Sequence, residues 1–385
     1  MATQTHSKAP REALRGIEPC FIERGQGCRL WDVDGNEYLD LRCSLGPITL
    51  GYRHPAVEDA VREQLAKGTV FSYPAWLEVE VAERLVELIP CAESVRFLRT
   101  GGEAMTACMK LARAYTGRDR ILKCGYHGWI TTMGTPGTPE VLKSVHTELP
   151  WGDPAPYEAI LKEDGANVAA ITVAYSYSAG EQAREFLQAL RDLADRYDTL
   201  LVFDEIVTGF RLANGGAQER FGVVPDLATF SKGMANGWPV AAYLGRKEIM
   251  ETVRTAVVSS TFGGEATGLA AARACLDVYR KEDVIGHLET RGRQFVDGCN
   301  TLFERHGAPA RLVGLPMCPQ TVWRESPQAK PGELSLRFDA ETLRRGVITY
   351  GVNYINYSHT EADIAEILAR FDDALAAMAQ AGLFS

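Results

Sequence analysis

The sequence has no C-x-x-C pair and no H-x-x-x-H pair. Its nine cysteines are odd in number and scattered from Cys20 to Cys318. Neither a disulfide framework nor a zinc knuckle is expected, and a reducing, cytoplasmic compartment fits. An excess of basic charge is also missing: 41 Lys and Arg stand against 50 Asp and Glu, a net charge of −9. This argues against a nucleic-acid or anionic-membrane partner, which would call for a basic face. No apolar run is long enough to span a membrane. The polar opening MATQTHSKAPREALRG lacks the apolar core of a secretory signal. There is no internal repeat and no low-complexity linker. No G-K-[ST] occurs, so a P-loop is excluded.

What is present is 385 residues of ordinary globular composition, 46% hydrophobic and 24% charged. That length exceeds a single core, so two domains or a large and a small lobe are expected. Residues 1 to about 15 read as a loose polar arm. CRLWDVDGNEYLDL alternates around Asp34-Gly35-Asn36, a hairpin signal. Its D-x-D-G-N portion is not a calcium loop, because the twelfth position is Cys43 rather than an acid. HPAVEDAVREQLAKG and EVEVAERLVELIP carry helical spacing. From about 92 to 250, strands (SVRFLRT, RILKCG, NVAAITVAY, TLLVFDE, DLATFSK) alternate with helices (GEAMTACMKLARAYTG, AREFLQALRDLADRYD). That order predicts an α/β fold with a mainly parallel sheet covered on both faces. Short strands and helices follow, ending in the helix TEADIAEILARFDDALAAMAQ.

Four stretches along this sheet carry potential chemistry. At Thr100-Gly101-Gly102 a strand runs into a helix, where backbone N–H groups could hold a phosphate. Taken alone, this is equally an ordinary turn. CGYHGW follows the next strand. There Tyr126, His127 and Trp129 could face a planar ligand or simply pack. Asp204 ends the apolar strand LLVFD, and a carboxylate so placed must find a cation or a donor. Its neighbours Glu205 and Arg211 read as a structural ion pair. Lys232 stands in TFSKGMANGWP with no charged neighbour. It either snorkels to solvent or is a desolvated amine with a depressed pKa. An anion hole, a stacking face, a carboxylate and an amine on one sheet are together what pyridoxal phosphate (PLP) requires.

The sequence resembles the class-III aminotransferases of PLP fold type I, in particular the glutamate-1-semialdehyde aminomutase-like branch. The resemblance runs through LGYRHPAV, GGEAMTACMKLARAYTGRDRIL, GYHGW, FDEIVTGFR, PDLATFSKGMANGWPVAAYLGR, TFGGEATGLAAARA and YSHTEADI. It implies a large PLP-binding domain over residues 61–275 and a smaller α+β domain built from 1–60 and 276–385. It implies that Lys232 forms the internal aldimine and moves the proton between substrate Cα and cofactor C4′. Asp204 would pair with the pyridine nitrogen, and Ile206 and Tyr126 would pack on the two ring faces. His127 would belong to the same cofactor site. Thr100, Gly101 and Gly102 would hold the phosphate, and Thr261 would reach the phosphate of a neighbouring subunit in a homodimer. The implied reaction passes an amino group from an amine donor to a keto or aldehyde acceptor. An aminomutase or racemase on the same scaffold is the nearest alternative, and a non-catalytic PLP-binding regulator a remote one.

Some positions depart from the family pattern. Gly102 stands where many relatives have threonine, Ala174-Tyr175 replaces a frequent Glu-Pro, and Glu265-Ala266 replaces a frequent Asn-Pro. All three border the expected pocket and bear on substrate choice. Arg337, Arg344 and Arg345 are available to grip a carboxylate, although surface roles suit them as well. Tyr175, Ser176, Tyr177, Ser178, Asn353, Tyr354 and Asn356 could form a polar lining suited to a sugar-like or natural-product substrate.

Overall fold

The computed structural model describes residues 3–130 and 136–384. The chain divides into two compact units, one running from Pro55 to Ile285 and the other joining the residues up to His54 with those from Gly286 onward.

The first unit is built on a seven-stranded sheet. In chain order its strands are β1 (Ser94–Leu98), β2 (Arg120–Cys124), β3 (His146–Glu148), β4 (Val168–Ala174), β5 (Leu200–Asp204), β6 (Leu227–Phe230) and β7 (Ala241–Gly245). Their spatial order is β1-β7-β6-β5-β4-β2-β3, and β7 alone runs against the others. The central strands are apolar throughout because both faces are covered: every residue of β5 is buried, and so is all of β4 up to Val173. The helix Ala183–Arg196 shows how the covering works. Phe186, Leu187, Leu190, Leu193 and Ala194 form its buried stripe, while the intervening residues include Arg191 and Asp192.

The helix Gly101–Thr116 matters most for the site. Thr100 caps it, its hydroxyl accepting the Glu103 N–H while the Glu103 carboxylate accepts the Thr100 N–H at 2.8 Å. Gly117, at φ 68°, closes it in the left-handed conformation. Glu205 and Arg211 do not form the ion pair expected from sequence. The buried Glu205 carboxylate instead accepts from the Thr208 hydroxyl and from the N–H groups of Ala217 and Gln218, at 2.8 and 2.9 Å. It anchors the turn that follows β5, and burial pushes its pKa up to about 7.

The second unit carries a four-stranded sheet of Ile22–Gln26, Arg29–Asp32, Glu37–Asp40 and Val347–Ile348. The hairpin lies where the sequence places it. Asp32 ties its turn, accepting from the N–H groups of Asp34 and Asn36, the Asn36 amide and the Tyr38 hydroxyl. The acidic run is thus spent on the turn. The expected loose arm is exposed over residues 4–8 but pinned further on, where Arg11 pairs with Glu18 and Asp339 and Leu14 is buried. Arg337, Arg344 and Arg345 all pair with Glu341 along one helix, at 3.2, 2.9 and 2.7 Å. Asn353 donates to Thr321, and Asn356 accepts from Ser358, as structural hydrogen bonds. Among the described residues, no helix is long and apolar enough to cross a membrane, and no cluster of His, Cys, Asp and Glu could hold a metal ion.

Candidate active site

A cavity of about 680 Å³ opens at the carboxyl ends of the parallel strands, where open α/β sheets place their ligands. Six strand ends feed it, and four of them carry the chemistry-bearing stretches singled out in the sequence. Thr100, Gly101 and Gly102 follow β1, Tyr126 follows β2, Asp204 closes β5, and Lys232 follows β6. Residues scattered across more than a hundred positions of sequence converge because each strand ends at the same edge of the sheet.

Lys232 is half-buried and has φ 43°, the left-handed region that non-glycine residues seldom enter. Such a conformation costs about 1–2 kcal/mol and persists only where its surroundings enforce it. Two bonds enforce it here. The Met234 N–H donates to the Ser231 carbonyl at 2.9 Å, and the buried Tyr279 hydroxyl donates to the Gly233 carbonyl at 2.9 Å. Burial lowers the Lys232 pKa to about 8; Asp204 opposes that shift and Arg211 adds to it.

Asp204 is buried and held on both oxygens. Oδ1 accepts the Ile206 N–H at 3.1 Å, and Oδ2 meets His127 Nδ1 at 2.9 Å. A carboxylate can only accept, so Nδ1 carries the proton. His127 Nε2 is buried with no partner among the described residues. The imidazole therefore stands behind Asp204 and is absent from the cavity wall, while its neighbours Tyr126 and Trp129 line the wall with their side chains largely exposed. The sequence suggests an aromatic face for His127. The structure gives it a carboxylate 77 residues away, a contact that no local pattern reveals.

Gly101 and Gly102 occupy the first turn of their helix, where N–H groups have no intrahelical acceptor. A Cβ on Gly101 would lie 2.4 Å from Ile206 Cδ1, so only glycine lets Ile206 reach this point. Gly128, at φ 90°, approaches Gly102 so closely that a Cβ there would lie 2.7 Å from Gly102 Cα. Together they form a backbone cradle suited to a phosphate.

Tyr175, Ser176 and Tyr177 line the cavity together with Ala174, whereas Ser178 is exposed outside it. Cys124, Glu148 and Trp151 extend the wall and were not anticipated from sequence. Glu265 is not part of the lining. It caps the helix Ala266–Lys281, accepting from Thr267 and Gly268 N–H, and pairs with Arg99 at 2.9 Å. Thr261 is exposed on this unit and also lies outside the lining.

The fold is that of the PLP-dependent transferases of fold type I. The FumI protein of a Sphingopyxis species, solved in its PLP internal aldimine form, superposes with a TM-score of 0.91 and 28% identity over 98% of this chain and 93% of that one. Residues 13–375 match the family model described as aminotransferase class-III, and the chain belongs to that family. A 3-aminobutyryl-CoA aminotransferase of Cloacimonas acidaminovorans is 35% identical over 96% of this chain and 92% of its own. A glutamate-1-semialdehyde 2,1-aminomutase of Persephonella marina is 33% identical over 93% and 91%. The cofactor of the family is PLP, and the cavity fits it: a phosphate cradle, a buried carboxylate, an aromatic side chain and a lysine of depressed pKa face one space.

Proposed function

We propose that the protein is an aminotransferase that carries an amino group from an amine donor to a separate keto or aldehyde acceptor. The observation that carries this reading is the meeting of Lys232 and Asp204 in one cavity, the lysine shifted toward its neutral form and the carboxylate fixed by His127. When bound, PLP supplies an electron sink and a carrier for nitrogen. Lys232 would anchor the cofactor. Displaced by the donor amine, its neutral Nζ would accept a proton from the nitrogen-bearing carbon of the substrate and hold it for return. Asp204 would keep the ring nitrogen protonated, with His127 and the Ile206 N–H preventing its carboxylate from turning away. Tyr126 and Ile206 would flank the ring, and Thr100, Gly101 and Gly102 would take the phosphate. The working unit in this reading is a homodimer, Thr261 reaching the neighbouring subunit's phosphate, and the compartment is the cytoplasm. The hydroxyls of Tyr175, Ser176 and Tyr177 favour a polar, sugar-like or natural-product substrate.

A second reading, transfer within one molecule, is favoured by the likeness to glutamate-1-semialdehyde 2,1-aminomutases. Supplying one amine and one unrelated carbonyl compound separates the two. Amine appearing on the added carbonyl compound supports the proposal. Conversion of a single amino aldehyde to its isomer, with no transfer between molecules, supports the mutase. Lys232→Ala should reduce either turnover to background, and unchanged turnover in that variant would exclude both.

A further inference from the structure

A second cavity lies wholly within the unit that joins the two ends of the chain. Its volume is about 320 Å³, enough for a small ligand. Ile22, Leu30 and Ile348 give it an apolar lining, and Lys8, Arg42 and Ser44 a polar one. The two cations are close enough that, after burial, the charge of Arg42 is the next largest influence lowering the Lys8 pKa.

Neither cation has a carboxylate in contact. Lys8 Nζ donates to the Ser44 hydroxyl at 2.8 Å, which leaves two of its protons uncommitted. The Arg42 guanidinium donates to the Ser7 carbonyl and lies 4.8 Å over the Tyr350 ring, while its Nε–H is buried without an acceptor among the described residues. The two acids lining the same space are already engaged. Asp40 accepts from the Arg42 N–H at 2.8 Å and the Tyr52 hydroxyl at 2.7 Å. Glu18 accepts from the Arg11 N–H at 2.8 Å and from the Arg11 guanidinium. Two positive charges thus converge on a partly desolvated pocket with only neutral acceptors in direct contact; the buried Asp40 acts on Lys8 from a distance, opposing the lowering of its pKa by Arg42, while its own oxygens are committed to the Arg42 N–H and the Tyr52 hydroxyl. With Glu18 paired to Arg11, the single carboxylate of Asp40 faces two partly buried cations, and their remaining donors call for a second anionic partner.

We propose that this pocket binds a small organic carboxylate with an apolar tail. The carboxylate bridges Lys8 Nζ and the Arg42 guanidinium through charge-assisted hydrogen bonds, and the tail lies against Ile22, Leu30 and Ile348. None of these residues belongs to the cavity that contains Lys232, so the site stands or falls independently of the reaction proposed there.

The test is calorimetric titration of the PLP-loaded enzyme with sodium hexanoate, beside hexanol and inorganic phosphate, in the native protein and in Lys8→Met and Arg42→Met. Hexanoate should bind the native enzyme, and each substitution should weaken it by about tenfold or more, the loss of one charge-assisted bond. Hexanol and phosphate, each lacking half of the recognition, should bind at least about tenfold more weakly than hexanoate. Absence of hexanoate binding, or equal affinity in the native protein and Lys8→Met, overturns the proposal. Lys8 is exposed enough for that variant to fold even if Arg42→Met does not. Phosphate binding as tightly as hexanoate overturns the apolar-tailed ligand. The cofactor absorbance, read on the same samples, reports separately on the Lys232 site.

Discussion

At position 232 the backbone is held in the left-handed region and the side chain is pushed toward neutrality. The sign of that shift sets a pH dependence. The lysine titrates near 8 in the folded chain and near 10.5 when unfolded. Between those values the unfolded chain binds more protons, so the cofactor-free protein should gain stability as pH rises across that window. The same shift governs capture of PLP, because only the neutral amine attacks the aldehyde. Reconstitution of the cofactor-free enzyme should accelerate about fivefold from pH 7 to pH 8, as the neutral fraction rises from about a tenth to about a half. A rate independent of pH over that range, followed by absorbance, would show that the amine is not tuned. The neighbouring carboxylate gives a second expectation. Asp204→Asn should retain cofactor but lose most of the rate. His127→Phe should lower kcat about ten- to a hundredfold while cofactor remains bound, because Asp204 keeps only the Ile206 N–H to fix it. Equal rates in native and His127→Phe enzyme would remove His127 from the mechanism.

The strand ends and the helix start form the next level, and here the two glycines of the cradle differ. Gly101 has no room for a Cβ, which would sit 2.4 Å from Ile206. A Cβ on Gly102 would meet, among the described residues, nothing closer than Ile130 Cδ1 at 3.5 Å. Gly101→Ala should therefore displace Ile206 and weaken PLP binding by at least about tenfold, a cost of about 1–3 kcal/mol for forcing a methyl into a filled space. Gly102→Thr should fold normally and bind PLP at least as tightly, since a Cβ there makes only ordinary van der Waals contacts and adds a hydroxyl to the first turn of the helix. Equilibrium titration of PLP into the two cofactor-free variants distinguishes them, and equal affinities would contradict the steric account. This level was largely readable in advance. The strand running into Thr100-Gly101-Gly102, the helix that follows it and the apolar runs of β4 and β5 are local signals. β7 was not read as a strand, and its antiparallel pairing with β1 and β6 depends on partners more than a hundred residues away in one case. The three-residue β3 is too short for periodicity to show.

Across the whole molecule, the order of strands brings Thr100, Tyr126, Asp204 and Lys232 to one edge of one sheet. The residue types and their sequence order were legible because each follows a strand, and a mainly parallel sheet sends all such ends to one side. The supporting contacts were not. His127 behind Asp204, Tyr279 under the Lys232 turn, and Glu265 on Arg99 all join distant segments, and no short window of sequence carries them. Arg337, Arg344 and Arg345 looked available as cations until the structure showed one buried glutamate engaging all three. Further along the cavity wall, Cys124, Trp151 and Ser176 come from three separate loops or strand ends, and the sequence did not reveal that they meet. The central claim, that this sheet edge commits Lys232 to PLP, has a direct test. The PLP-loaded enzyme is reduced with borohydride, digested, and its peptides are sequenced by mass spectrometry. A pyridoxyl group on Lys232 alone is the predicted result; its absence there, or its attachment to another lysine, would contradict the account.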